Sequence, residues 1–180
     1  MLNNPLLTAF QNARGDSNGY AGWCIRKDLC KRYAWAVPDD AAIRALARKP
    51  LVEIGAGTGY WAHLVAGAGG DVVAYDIKPY TNHWCGGTYY PIHEGGPEMA
   101  QRHKDRTLFL CWPPYDEPMA TDALLAYEGS TVAYVGEGWM GCTGNLEFYD
   151  LLTELYKDTE KIRIPRWDGM HDTLTFWIRK

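Results

Sequence analysis

The chain has 180 residues, a formal net charge of −4 and 47% hydrophobic residues, which suffice for one domain with a full hydrophobic core. Its charges form no long basic run of the kind that binds nucleic acid, so duplex nucleic acid is not an expected partner. No stretch approaches the roughly 20 apolar residues of a membrane helix, and the N-terminus lacks a secretion signal. The five cysteines form no CxxC pair. We therefore expect a soluble, cytoplasmic protein and leave its oligomeric state open.

Residues 1–50 are predicted to form a helical N-terminal extension. The acidic pair Asp39-Asp40 predicts the start of a helix over 41–48, because acidic side chains favour the first turn of a helix. The extension also carries Trp23 and Trp35. We expect Trp23 to pack on the outer face of the core, whereas for Trp35 both core packing and covering of a ligand remain open.

Strand and helix patterns alternate from residue 51 onward. This alternation is typical of a parallel sheet with helices on both faces, and we expect a single α/β domain with its core over 51–180. The last two strands have no helix between them, which predicts an antiparallel hairpin on one edge. The predicted strands are 51–54, 71–75, 88–92, 107–111, 130–135, 160–164 and 173–179, and the predicted helices are 60–68, 98–104, 119–127 and 145–156.

A glycine-rich loop follows the first predicted strand. The segment Glu53-Ile54-Gly55-Ala56-Gly57-Thr58-Gly59 leads from that strand into the next helix. Glycine lets the backbone approach a ligand closely, and the helix N-terminus supplies free N–H groups. Asp76 ends the next strand, where a carboxylate can accept hydrogen bonds from both hydroxyls of a ribose. Together the two features predict a nucleotide-binding site.

The glycine pattern distinguishes between nucleotides. The dinucleotide fingerprint GxGxxG would need glycine where Tyr60 stands, and no GK[ST] follows the loop. The pattern E-x-G-x-G-x-G instead resembles motif I of the class I S-adenosylmethionine-dependent methyltransferases, and the resemblance extends over most of residues 51–180. It implies S-adenosyl-L-methionine as the cofactor. It also implies a Rossmann-like three-layer αβα sandwich whose mostly parallel seven-stranded sheet has the order 3-2-1-4-5-7-6.

The resemblance implies a role in cofactor binding for each matching position. Glu53 would bind the methionine amino group, directly or through water, and Asp76 would bind the ribose hydroxyls. Ile77 would pack on the adenine, and His93 lies in the segment where the family often contacts the adenine amine. Three glycines would shape the loop under the methionine and ribose: Gly55, Gly57 and Gly59.

The segment Trp112-Pro113-Pro114-Tyr115 resembles the [DNS]-P-P-[YFW] motif of methyltransferases that act on amino groups. Trp112 fills the polar position, and an indole donates a hydrogen bond but cannot accept one from an amine. Two interpretations remain open. The prolines stiffen the strand exit, or Trp112 and Tyr115 form a stacking wall for a substrate ring.

Glu137 follows the fifth predicted strand and is the best-placed candidate for a general base, with a surface carboxylate or helix cap as the alternative. Asp116 and Trp112 complete the predicted catalytic set. The pair His83 and Cys85 lacks the paired spacing of a zinc site, so we predict no metal.

These observations predict S-adenosylmethionine-dependent methyl transfer to a small, ring-containing acceptor molecule. A nucleic-acid methyltransferase is the alternative among enzymes. A non-catalytic protein that uses the same fold to bind a nucleoside or a partner is the alternative outside them, because a fold does not determine a function.

Overall fold

The computed structural model describes residues 2–14, 20–80 and 86–180, and the side chains of all of these except 14 and 20–24. Within these residues, three helices precede the sheet: α1 (Pro5–Arg14), α2 (Tyr20–Arg32) and α3 (Asp40–Ala47). The remaining elements are β1 (Leu51–Ile54), α4 (Tyr60–Gly67), β2 (Val72–Asp76), β3 (His93–Glu94), a 3₁₀ helix (Pro97–His103), β4 (Thr107–Cys111), α5 (Met119–Ala126), β5 (Thr131–Gly136), α6 (Leu146–Leu155), β6 (Tyr156–Arg163) and β7 (Thr173–Arg179).

The strands form one sheet of seven strands within the described residues, in the order β3-β2-β1-β4-β5-β7-β6. The first five pair in parallel, and β7 runs antiparallel to both β5 and β6. The predicted α/β fold class, strand order and edge hairpin are therefore confirmed. Because parallel strands end at the same edge of a sheet, the loops after β1, β2, β4 and β5 converge there.

Each face of the sheet has its own hydrophobic core. One core joins the N-terminal helices and α4 to the sheet through Leu46, Trp61 and Phe109. The other core joins α5 and α6 to the opposite face through Leu124 and Phe148. The three-layer sandwich follows from this arrangement, since buried parallel strands need apolar cover on both faces.

Two of the helices, α3 and α6, begin with a side-chain cap. The Asp39 carboxylate accepts a hydrogen bond from the Ala42 backbone N–H at 2.8 Å, at the start of α3. The Asn145 side chain accepts one from the Phe148 N–H at 2.9 Å, at the start of α6. Both caps satisfy N–H groups that a helix leaves without intrahelical partners.

The third strand is the main error of the sequence prediction. Residues 88–92 do not form a strand, and the short β3 lies just after them. Pro91 cannot donate to a sheet ladder, and the two preceding tyrosines serve as anchors instead. The Tyr89 ring stacks on Tyr33 at 5.5 Å, and the Tyr90 hydroxyl donates to the Val72 carbonyl at 3.0 Å.

Two smaller differences concern element type and length. The predicted helix over 98–104 is a 3₁₀ helix. Strand β6 begins at Tyr156, directly after α6, and not at residue 160. Tyr156 has extended backbone angles and ends the helix, so the chain enters the edge strand without a loop.

The N-terminal extension is bound to the loop that precedes α4. The Thr58 hydroxyl donates a hydrogen bond to the Tyr33 carbonyl. The Tyr60 hydroxyl donates to the Asn4 side chain at 2.9 Å. Residues 33–38 therefore lie against the carboxyl edge of the sheet. None of the helices in the described ranges is long and apolar enough to cross a lipid bilayer.

Candidate cofactor and acceptor site

Three glycines after β1 have left-handed backbone angles. The φ values are 75° at Gly55, 59° at Gly57 and 70° at Gly59. A Cβ atom added at Gly59 would lie 2.9 Å from the Tyr90 Cβ atom, so this position lacks both the angles and the space for a side chain. The loop conformation thus requires the glycine spacing of the sequence motif.

The backbone N–H groups of this loop already have acceptors within the protein. The Gly55 and Ala56 N–H groups both donate to the Tyr75 carbonyl at 2.9 Å, and Gly59 donates to Ala56 at 2.8 Å. The Gly57 N–H donates to the Asp76 carboxylate at 2.9 Å. A phosphate-binding loop would direct such groups at its ligand. These four donors are already satisfied within the protein.

Glu53 lies in β1, immediately before this loop. Its side chain is 2% exposed, and its Oε2 atom is buried without a hydrogen-bond partner. Burial raises the pKa of Glu53, the nearby Asp76 carboxylate raises it further, and a hydrogen bond from the Ala62 backbone partly offsets both, so that the pKa is about 8. An unpaired buried carboxylate oxygen is costly, and a cationic or hydrogen-bond-donating ligand would relieve that cost.

Asp76 connects the glycine loop to the end of β2. Its Oδ2 atom accepts the Gly57 N–H, and its Oδ1 atom accepts the Lys78 N–H at 3.0 Å. A carboxylate oxygen can accept more than one hydrogen bond. The next residue, Ile77, is 66% exposed and offers an apolar surface beside the carboxylate.

His93 occupies the short edge strand beside β2. It is exposed and lies opposite Tyr75 in the register, with the ring centroids 5.5 Å apart. The register partner of Asp76 is Glu94, the following residue. His93 therefore lies near the end of β2, but Glu94 and not His93 is paired with Asp76.

Trp112 begins the loop after β4 in a strained conformation. Its φ is 52°, in a region that non-glycine residues rarely adopt. Its indole Nε1 donates to Asp172 Oδ1 at 2.8 Å. Its ring stacks on Trp35 with centroids 5.3 Å apart and planes 18° apart. Trp35, for which the sequence left two interpretations open, therefore packs on Trp112 at the start of the loop after β4.

Asp172 was missed by the sequence analysis. It is 1% exposed, and its Oδ2 atom is buried without a partner. Burial raises its pKa, the hydrogen bond from Trp112 lowers it, and the Glu137 charge raises it, so that the pKa is about 6. The segment around Asp172 is polar and rich in turn residues, so its burial arises only from packing against distant parts of the chain.

Glu137 follows β5 and holds two loops together. Its Oε1 atom accepts the His171 N–H at 2.8 Å, and its Oε2 atom accepts the Cys142 N–H at 2.9 Å. Burial alone would raise the pKa of Glu137, but the hydrogen bonds from Cys142 and His171 outweigh it and lower the pKa. This carboxylate is therefore stabilised in its ionised form.

Asp116 does not join this hydrogen-bonded group. It is exposed, has a φ of 57°, and its N–H donates to the Gly144 carbonyl at 3.0 Å. Tyr115, the other half of the predicted stacking wall, is 66% exposed. Trp112 and Glu137 thus bind neighbouring residues, Asp172 and His171, whereas Asp116 and Tyr115 lie at the surface.

Cys111 lies between the two halves of the site. Burial raises its thiol pKa well above the usual range, and the charges of Glu53 and Asp172 raise it further. A neutral thiol is a poor nucleophile, so Cys111 is not suited to covalent catalysis. Cys111 thus lies near both buried carboxylates, Glu53 and Asp172.

Solved structures share this architecture. A magnesium protoporphyrin IX methyltransferase from Synechocystis PCC 6803 with bound S-adenosylmethionine aligns over 97% of each chain, with a TM-score of 0.51 and 9% identity. Human N-acetylserotonin methyltransferase in complex with S-adenosylmethionine aligns over 90% of this chain, with a TM-score of 0.56 and 12% identity. The chain has the class I methyltransferase fold. No protein-family model and no curated protein matches the chain significantly.

These similarities establish the methyltransferase fold. They do not establish the roles of the site residues. The alignment spans 56% of the human enzyme. Both halves of the predicted site lie at the carboxyl edge of the sheet, as the fold requires, but the individual residue roles stay predictions. Trp23, His83 and Cys85 lie outside the described side chains, so the expectations for them also stay predictions. Within the described residues, no group of three or more potential metal ligands is clustered.

Proposed function

We propose that the protein binds S-adenosyl-L-methionine and transfers its methyl group to a small, ring-containing acceptor. The observation that carries this proposal is the state of the glycine loop. Its four bound N–H groups leave little for a phosphate, and two carboxylates, Glu53 and Asp76, flank it. This environment favours a nucleoside that carries positive charge over one that carries phosphates.

The residues present fit the cofactor. Glu53 would receive the methionine ammonium group, because its unpaired buried Oε2 atom lacks a donor. Asp76 would accept the ribose hydroxyls while keeping its bonds to the loop. Ile77 would cover the adenine with its exposed side chain. When bound, the cofactor supplies an electrophilic methyl group on a sulfonium, and the departing electron pair stays on sulfur.

On the acceptor side, the residues orient a ring and hold a proton. Trp112 and Trp35 form the aromatic wall. Asp172 is the group we place in proton transfer, because burial poises its pKa at about 6, close to neutral pH. Glu137 takes a positioning role, since both its oxygens bind backbone N–H groups and its pKa is lowered. Asp116 has no role in this scheme.

Calorimetric titration with S-adenosylmethionine, S-adenosylhomocysteine, NAD and ATP tests the proposal. We expect binding of the first two ligands only. Asp76→Ala should weaken that binding about 100-fold, because two hydrogen bonds to a charged group are lost. The matched control is Asp71→Ala, which removes the same charge just before β2 from an exposed aspartate paired with Arg106 at 2.9 Å.

The control separates a local effect from a change in net charge. Equal loss in both variants would count against a specific role for Asp76. Absence of binding to either sulfur ligand by the folded wild-type protein would overturn the proposal. It would then favour the non-catalytic alternative. If the cofactor binds, methylation of oligonucleotides alone would favour the nucleic-acid alternative over a small acceptor.

A further inference from the structure

A cleft of about 770 Å³ lies next to the acceptor side of the site. Residues 137–141 of the loop after β5 line it, together with residues of β6, β7 and the turn between them. Its volume falls in the range of small-molecule sites. Its wall also includes His171 and Thr173, the two neighbours of Asp172 in the chain.

The cleft is basic in a protein whose net charge is −4. Lys161, Arg163 and Arg166 all line it. Lys161 and Arg163 lie two positions apart on β6 and therefore project from the same face of the sheet. The Arg166 Nε atom donates to the Asp172 carbonyl at 2.9 Å, which fixes the arginine against the site.

Negative charge on the wall does not cancel these cations. Among the described residues that line the cleft, Glu137 carries the only carboxylate. Both of its oxygens already accept backbone N–H groups. No carboxylate of the described residues forms an ion pair with Lys161 or Arg163.

Edge protection is the simpler explanation for charges on β6. Edge strands often carry charged side chains that prevent pairing with another chain. The first part of β6 fits that explanation, because Lys157, Asp158 and Glu160 mix both signs and Glu160 pairs with Arg48 at 3.4 Å. The cleft differs in two ways. The charged residues that β6 and the turn contribute to it are all positive, and they come from the turn as well as from the strand.

We propose that this cleft binds a carboxylate or phosphate group of a small, ring-containing ligand. Trp139 and Met140 supply the apolar part of its wall and are 55% and 79% exposed. Because His171 and Thr173 line the cleft and flank Asp172, we assign the carboxylate or phosphate group to the methyl acceptor. That assignment to the acceptor rests on the proposed function, whereas anion binding by the cleft does not.

Nuclear magnetic resonance titration of ¹⁵N-labelled protein with inorganic phosphate and, separately, with benzoate tests the proposal. We expect saturable shifts of the amide signals of 138–141 and 161–173. Lys161→Gln should weaken binding about five-fold, the effect of one partly exposed charge. Lys157→Gln is the matched control, because it removes the same charge from the same strand outside the cleft.

The two ligands distinguish the two sources of negative charge. Tighter binding of phosphate or of benzoate identifies the preferred group, and either result supports the proposal. Absence of saturable shifts with both ligands, or equal weakening by Lys161→Gln and Lys157→Gln, would overturn it. A titration of the same samples with S-adenosylhomocysteine keeps the two proposals separate, because cofactor binding and anion binding succeed or fail independently.

Discussion

The two halves of the ligand edge are built in different ways. Over β1 and β2, the site consists of one continuous loop and the residue that ends the next strand, and its hydrogen bonds are regular. Over β4, β5 and β7, the site is assembled from loops far apart in the chain, which Trp112 and Glu137 join to the segment His171-Asp172. The half over β1 and β2, proposed to bind the cofactor and called the cofactor half below, thus lies in a local motif. The half over β4, β5 and β7, proposed to bind the acceptor and called the acceptor half, depends on tertiary packing.

The two halves also differ in the pKa of the carboxyl group that each one buries. Glu53 and Asp172 each have one buried oxygen without a partner. Burial raises the pKa of Glu53 to about 8 and that of Asp172 to about 6. A neighbouring carboxylate raises both pKa values further, Asp76 for Glu53 and Glu137 for Asp172. A hydrogen bond partly offsets burial at each residue, from the Ala62 backbone for Glu53 and from Trp112 for Asp172. Because the pKa shift is larger at Glu53, its half of the site gains more from binding a cation.

The largest expected effect concerns Glu53. Its pKa in the folded protein, about 8, lies above its ordinary value of 4.5. The folded state then holds a proton that the unfolded state loses, so the free energy of unfolding should fall between pH 4.5 and 8. The slope is about 1.4 kcal/mol per pH unit, and the total is on the order of 5 kcal/mol. Urea unfolding from pH 5 to 9 measures it.

Glu53→Gln should remove this slope because the amide does not titrate. It should also weaken S-adenosylmethionine binding by leaving the ammonium group without a counter-charge. Glu117→Gln removes a carboxylate from an exposed position and serves as the control. An unchanged slope in Glu53→Gln would show that another group is responsible, and the contrast between the two halves of the site would then be wrong.

The fold was predictable because its signals are local. Alternating strands and helices, the glycine loop and the two helix caps each lie within a short segment. The prediction of the third strand was wrong because Tyr89 and Tyr90 have contacts outside their own segment. The same reason explains the acceptor half. Asp172 sits in a polar turn, and only its distant partner Trp112 reveals it.

A smaller effect is expected for the loop glycines. Gly59→Ala should lower the free energy of unfolding by about 2–3 kcal/mol, because a left-handed angle and the contact with Tyr90 both oppose a side chain. It should also abolish cofactor binding. Gly69→Ala is the matched control, since Gly69 has a φ of 86° with nothing within 4 Å. Its cost should be about 1 kcal/mol, with cofactor binding intact.

Equal destabilisation by the two alanine variants in urea unfolding would mean that the backbone angle dominates and that close approach of Tyr90 does not matter. Cofactor binding that survives Gly59→Ala would count against a rigid loop. Either result would weaken the view that the cofactor half requires its motif residue by residue.

The smallest expected effect concerns the hydrogen bond between Trp112 and Asp172. Trp112→Phe keeps a ring against Trp35 but removes the donor to a buried carboxylate. The free energy of unfolding should fall by about 1–3 kcal/mol. Trp177→Phe is the control, because the Trp177 indole N–H is buried without a partner and its removal breaks no hydrogen bond. Urea unfolding of both variants measures the difference.

The pH dependence identifies the group involved. Asp172 has a pKa of about 6, above its ordinary 3.8, so the wild-type free energy of unfolding falls as pH rises between those values. Removing the Trp112 donor raises the pKa of Asp172 further. The penalty of Trp112→Phe should therefore be larger at pH 8 than at pH 5, where the carboxyl group is protonated in both proteins. A penalty that is constant with pH would show that Trp112→Phe destabilises the protein through packing. It would contradict the prediction that the Trp112 hydrogen bond stabilises the ionised form of Asp172.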